Sequence, residues 1–389
     1  MNFSFFPNRA LCAAVLLALA GVAIRSWAQN PPQKPVEPAA KAPAQRWRVQ
    51  YFYDEAKSNL MFHDMVFVSA TRGIAVGSVL EGKGGRKPVA VVTQDGGAHW
   101  QLSSLEENPV SLFFLNDTLG WMVTEKGLWR TDEFGKDWHK LPRLPLQPIR
   151  VYFADENNGW AAGAKKSVLV THDGGRKWDP IAAAAEPAGA ADRSAYTWIA
   201  FANPNYGIIT GLNQPVQHWL PMFPTWLDPS DALTRRETPH MAYALVTNNA
   251  GKTWKSESAS LLGRITRVRL APDGNGLGLI EYADSFRYPS ETYRIEWKTG
   301  KNTTIFRDKR YGITDVWLTA GAAYLAGVEF PGEVRSVSPG KVKVFKSTDF
   351  ASWNEQPVDY RASAQRLLLG GFGEDVWLAT DNGMILKWQ

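Results

Sequence analysis

The side chains of this chain that could do chemistry recur in one arrangement. An acid or amide stands third in an octet that opens on a hydroxyl residue and ends in tryptophan. Asp95 lies in TQDGGAHW (93–100), Glu133 in TDEFGKDW (131–138), Asp173 in THDGGRKW (171–178) and Asn249 in TNNAGKTW (247–254). Asp349 lies in a shortened STDFASW (347–353). A carboxylate facing a second one across a cleft would serve general acid/base hydrolysis. The octet supplies a local employment instead. The hydroxyl starts a turn, the third residue accepts hydrogen bonds from the loop's own N–H groups, and Gly at the fifth position provides φ > 0. The acids are therefore expected to be turn staples, with no catalytic residue among them. His218 and His240 lack a third partner at metal-ligand spacing, so no metal is expected. Cys12, the single cysteine, lies in the first 28 residues, which leaves no thiol chemistry for a processed chain.

These turns need strands on either side, and a second motif supplies them. Gly-Ile-Ala-Val-Gly (73–77), Gly-Trp-Met-Val (120–123), Gly-Trp-Ala-Ala-Gly (159–163) and Gly-Ile-Ile-Thr-Gly (207–211) each precede an octet. Trp100 to Trp138 is 38 positions and Trp138 to Trp178 is 40, the period of a four-stranded propeller blade.

Residues 1–28 read as an export signal. Arg9 is the basic segment, 10–24 the apolar one, and Ser26-Trp27-Ala28 the cleavage site. Residues 29–45, rich in Pro, Ala and Lys, read as a linker. Removing Arg9 and Arg25 takes the net charge from +5 to +3, too mild and dispersed for nucleic acid.

Residues 46–389 then read as an all-β, seven-bladed β-propeller. The units span 61–105, 110–141, 149–181, 196–258, 265–306, 313–358 and 365–389. The last contributes three strands only, and the alternating RWRVQYFY (46–53) supplies its fourth. The ring is thus expected to close by pairing of its N-terminal and C-terminal strands, which removes the open edge. The 17 tryptophans are assigned to packing between blades rather than to a sugar platform.

The octets resemble Asp boxes, also called BNR repeats. Together with the export signal and the Gly-Trp strand in about seven units, they resemble the photosystem II assembly and stability factor family. The resemblance covers nearly all of the chain after residue 45. It implies a non-catalytic exported scaffold, periplasmic or secreted, that binds a protein partner within an assembling membrane complex and needs no cofactor.

Strand order places the second-to-third-strand connections on one face of the disc and the octet turns on the other. Insertions at 79–87, 212–241, 283–290 and 330–340 decorate the first face. The longest carries Trp219, Phe223, Trp226, Arg235 and Arg236. Aromatics mixed with arginine suit partner recognition, and the alternative is a plug for the central channel. Arg287, Tyr288 and Arg335 lie on the neighbouring insertions. Blade five is rich in arginine, and Arg267 and Arg269 alternate so as to share one strand face. They are expected either to meet an acidic partner or lipid headgroups, or to pair with Glu281, Asp284, Glu291 and Glu296. The competing class is a sialidase-like glycoside hydrolase or a carbohydrate-binding propeller. No Arg-Ile-Pro precedes Thr93, and the nearest string, at 293–296, reads YRIE. Asp284 with Glu329 or Glu333 is the carboxylate pair that reading would need.

Overall fold

In a computed structural model, residues 45–82, 84–214, 239–282, 288–329 and 339–389 are described. The proposed signal and almost all of the proposed linker lie outside them. From Gln45 to Gln389 the chain forms one compact unit. Seven antiparallel sheets follow one another, six of four strands and the sixth with a short fifth strand, Ser363–Ala364, on Gly340–Ser347, as the roughly forty-residue period requires. The ring closes as the sequence indicates. Trp47–Phe52 pairs with Met384–Trp388, with Trp47 opposite Trp388.

The first strand of each blade is innermost, and successive first strands touch around the axis. They are Ser58–Phe67, Pro109–Phe114, Pro148–Phe153, Ser194–Phe201, Arg264–Leu270, Tyr311–Leu318 and Leu367–Phe372. In blades one to six this strand skips one residue against its neighbour. The skips fall at His63, Val110, Ile149, Thr197, Thr266 and Thr314. Such a bulge re-aims the residue that follows it.

The Gly-Trp motif has a packing cause. A Cβ on Gly73, Gly120, Gly159 or Gly207 would come within 2.3 to 2.5 Å of the ring of Phe67, Phe114, Phe153 or Phe201. Each glycine is paired across the sheet with that phenylalanine, whose ring folds over it. The octet tryptophans Trp100, Trp138, Trp178 and Trp254 meet the same four rings edge-on. Those contacts lie within one blade; the blade boundaries are packed by Trp121, Trp160 and Trp377, which stack on Phe153, Phe201 and Phe67 of the following blade.

The octet turns form as expected at four of five copies. In the third, Thr171 Oγ1 accepts from Gly175 N at 2.9 Å, and Asp173 Oδ1 accepts from Arg176 N and Lys177 N at 2.9 and 2.8 Å. Asp95, Asn249 and Asp349 likewise accept turn N–H groups. Glu133 departs from the pattern. Its longer side chain reaches out to Lys136, and Thr131 Oγ1 is the side-chain acceptor that holds that turn. The N–H groups of Ala351 and Ser352 hold the Asp349 carboxyl down at about 2, and those of the His99 backbone and ring do the same for Asp95.

Two connections show structure that the sequence does not announce. The insertion at 79–87 lengthens the hairpin of the second and third strands, with Val79 and Leu80 paired to Lys87 and Arg86. A connection not foreseen as structured runs between blades three and four. It carries short 3₁₀ turns at Ala182–Ala185 and Ala191–Arg193, and it is anchored by the hydroxyls of Tyr196 and Tyr243 donating to Ala184 O and Ala188 O.

Candidate partner-binding face and central channel

The residues that follow the bulges are Asp64, Ser111, Arg150, Trp198, Arg267 and Asp315; Ser111 donates to Ile149 O, and the other five meet as a layer across the channel. Trp198 is the hub. Its ring centroid lies 3.9, 4.8 and 5.2 Å from the guanidinium carbons of Arg150, Arg267 and Arg269, and its Nε1 donates to Val268 O at 2.7 Å. Cation–π contact and planar stacking favour arginine over lysine here.

Two aspartates hold the layer to the blades. Asp64 accepts from Met65 N and, in the next blade, Leu112 N. It lies 3.4 Å from Arg150. Asp315 accepts from Val316 N and from Leu369 N of the next blade, and Arg267 Nε donates to it at 3.2 Å. Burial lowers the pKa of both Arg150 and Arg269, with Asp64 and Asp315 respectively opposing the shift.

The layer separates two cavities, and Arg150 and Trp198 line both. One, of 610 Å³, opens on the face of the second-to-third connections. Lys165, Arg193 and Arg264 line it and carry no ion-pair partner among the described residues, while Arg366 is engaged by Glu281 through two bonds of 3.0 and 2.9 Å. The other, of 380 Å³, lies toward the octet face. That face also carries the first-to-second turns, since Thr71 O, Thr118 O and Asn157 O accept from the octets.

Arg267 and Arg269 thus share a face, as their alternation requires, but that face is the channel. Their carboxylate is Asp315 rather than Glu281, Glu291 or Glu296. Glu281 serves Arg366, and Glu291 serves Tyr282, Thr304 and Arg307. Tyr288 is half-buried under the Arg307 guanidinium, 4.7 Å from its ring. Trp219, Phe223, Trp226, Arg235, Arg236, Arg287 and Arg335 lie outside the described residues, as do His218, Asp284 and Glu333. Sequence reasoning missed Arg150, Trp198, Asp64 and Asp315. The signal available was the residue at the same place in each first strand, visible only once the skipped position is known.

The geometry defines a closed seven-bladed propeller with a charged layer across its channel. Solved structures of the same architecture include YCF48 bound to a D1 peptide, at TM-score 0.56 and 16% identity over 89% of this chain and 96% of that one. YCF48 from Cyanidioschyzon merolae follows at TM-score 0.55 and 15% identity over 88% and 98%. In sequence the chain is similar to the photosystem II assembly lipoprotein Ycf48 of Synechococcus sp. (strain CC9902), 28% identical over 173 residues. The match covers 42% of this chain and 47% of that protein, about half the relative's length. No protein-family model matches.

Proposed function

We propose that this chain is a non-catalytic exported scaffold that binds an acidic segment of a protein partner at the mouth of its channel, in the service of assembling or stabilising a membrane-protein complex. The observation that carries the reading is the rim of Lys165, Arg193 and Arg264, which have no ion-pair partner among the described residues, above a floor of Arg150 and Arg267 and with Asp192 the one acid of the described lining. A cationic concavity with low-dielectric walls concentrates acidic partners. The similarity to a photosystem II assembly lipoprotein and to a propeller solved with a bound peptide supports the same reading. The octets are read as Asp-box repeats, 1–28 as an export signal, 29–45 as a linker, and the location as periplasmic or secreted.

Hydrolysis is disfavoured by the employment of the channel carboxylates. Both oxygens of Asp315 accept hydrogen bonds, Oδ1 from Val316 N and Arg267 Nε and Oδ2 from Leu369 N, which employs it in tying two blades and an arginine together.

The test is capture. The mature protein, crosslinked in an exported fraction, should retain its partner, and a K165E/R193E/R264E variant of unchanged melting temperature should lose it. Retention by the triple variant would move the binding site elsewhere. N-terminal sequencing of the exported protein checks the signal, with Gln29 expected first.

A further inference from the structure

The octet-face cavity has a different chemistry from the rim opposite. Its 380 Å³ falls within the range of small-molecule sites. Phe113, Tyr152, Leu270, Trp317 and Leu318 are among its walls, each partly exposed, and among the described residues its charged lining is Asp64, Arg150 and Arg269.

The channel layer carries an unbalanced charge. Arg150, Arg267 and Arg269 stand against Asp64 and Asp315, three cations to two anions. Arg150 and Arg267 hold the nearer places, at 3.4 and 3.2 Å, while Arg269 Nη2 stays 4.0 Å from Asp315, beyond hydrogen-bond reach. Asp315 Oδ1 already accepts from Val316 N and Arg267 Nε. Arg269 spends only Nε, on Val316 O at 3.4 Å. Its guanidinium carbon lies 5.2 Å from the Trp198 centroid and 4.6 Å from that of Trp317, which fixes the fork in place. A largely buried cation that only shares a counter-charge is costly, and a planar fork whose Nη groups make no hydrogen bond among the described residues is the shape that takes a carboxylate on two bonds.

We propose that this cavity binds a small aromatic monocarboxylate, its carboxylate on the Nη groups of Arg269 and its ring against Tyr152, Trp317 and Leu318. The anion completes the charge of the layer, and the apolar walls select a hydrophobic tail over a simple inorganic ion.

Titration of the full-length processed protein with sodium 3-phenylpropanoate tests this, read by calorimetry and by tryptophan fluorescence, since Trp198 and Trp317 flank the fork. The neutral 3-phenylpropanamide, sodium acetate and sodium chloride are the comparison ligands. Phenylpropanoate should bind at least ten-fold tighter than any of the three. Arg269→Gln should weaken it at least ten-fold, and so should Leu318→Trp, which fills the funnel while leaving Arg269 in place. If Arg269→Gln fails to fold, Arg269→Lys, which keeps the charge but lacks the fork, takes its place. Equal binding of the amide, absence of binding, or undiminished binding by the folded variants would overturn the proposal. Equal binding of acetate or chloride would overturn it too, reducing the site to an adventitious ion only.

Discussion

Phe153 and Trp121 lie face to face across the boundary between blades three and two, their centroids 3.7 Å apart and their planes 5° from parallel. Phe67 does the same with Trp377 of blade seven, at 3.7 Å, and Phe201 with Trp160 of blade three, at 4.8 Å. Each phenylalanine lies over a glycine of its own blade, presents its face to the preceding blade and meets its own octet tryptophan edge-on. One ring thus couples the second strand of its blade, the octet turn and the neighbouring blade.

Gly159→Ala should therefore be costly out of proportion to one methyl group. The added Cβ would sit 2.5 Å from Phe153 Cδ1, and overpacking of this kind costs about 1–3 kcal/mol. Phe153→Leu in the same chain should recover part of the loss in a double-mutant cycle by urea unfolding. Simple additivity would show that the ring and the glycine are not coupled.

Asp315→Ala should be among the most damaging single changes. The side chain is 1% exposed, and its loss strands the Leu369 N–H and deprives Arg267 of its carboxylate. Breaking a buried pair in this way costs about 3–5 kcal/mol. A loss under about 1 kcal/mol in denaturant unfolding would mean that water replaces the carboxylate freely.

The five octets should not respond alike to removal of their third residue. Asp173→Ala deprives two turn N–H groups of their acceptor, whereas Glu133→Ala removes only a surface contact with Lys136. Melting curves should show a clear drop for the first and almost none for the second. Equal drops would contradict the turn geometry.

The octets also set an acid limit. The carboxyls of Asp95 and Asp349 sit at about 2, below their ordinary 3.8. Their contribution is full above about pH 4 and disappears as pH falls toward 2. Melting temperature should decline across that window, and Asp349→Asn should make the decline shallower. A variant with the parent's slope would show that this carboxyl contributes nothing.

Closure should be measurable by truncation. A chain starting at Gln45 should melt like the longer one, and a chain starting at Asp54, without Trp47–Phe52, should melt well below it. Trp47 is fully buried, and its backbone also bonds Pro357 O and Asp359 N, beside blade six. Identical melting points would refute the role of this strand.

The ring was legible because two signals with physical causes repeat at a fixed period: a turn that needs a hydroxyl, an acceptor and a glycine, and a glycine that must lie under a phenyl ring. The closing strand was legible from its alternation and from the strand missing in the last unit. The channel layer was not. A bulge adds one residue without a composition signature, so nothing at Thr197 or Thr266 announces that Trp198 and Arg267 turn toward the axis. Arg267 and Arg269 alternate whichever side they face, and their partner Asp315 is a blade away.

The closing strand sets an order of events. Trp47–Phe52 is made before any blade and finds its partner only when Met384–Trp388, the last strand of the described fold, has been made. Until then the seventh sheet lacks its outer strand and Trp47 has no slot to enter, while inner blades built from local hairpins can already form. Long-range pairing of this kind is slow. The last step of folding is therefore a search by a six-residue strand for an open edge, and any chaperone or competing strand that occupied either one would hold the ring open.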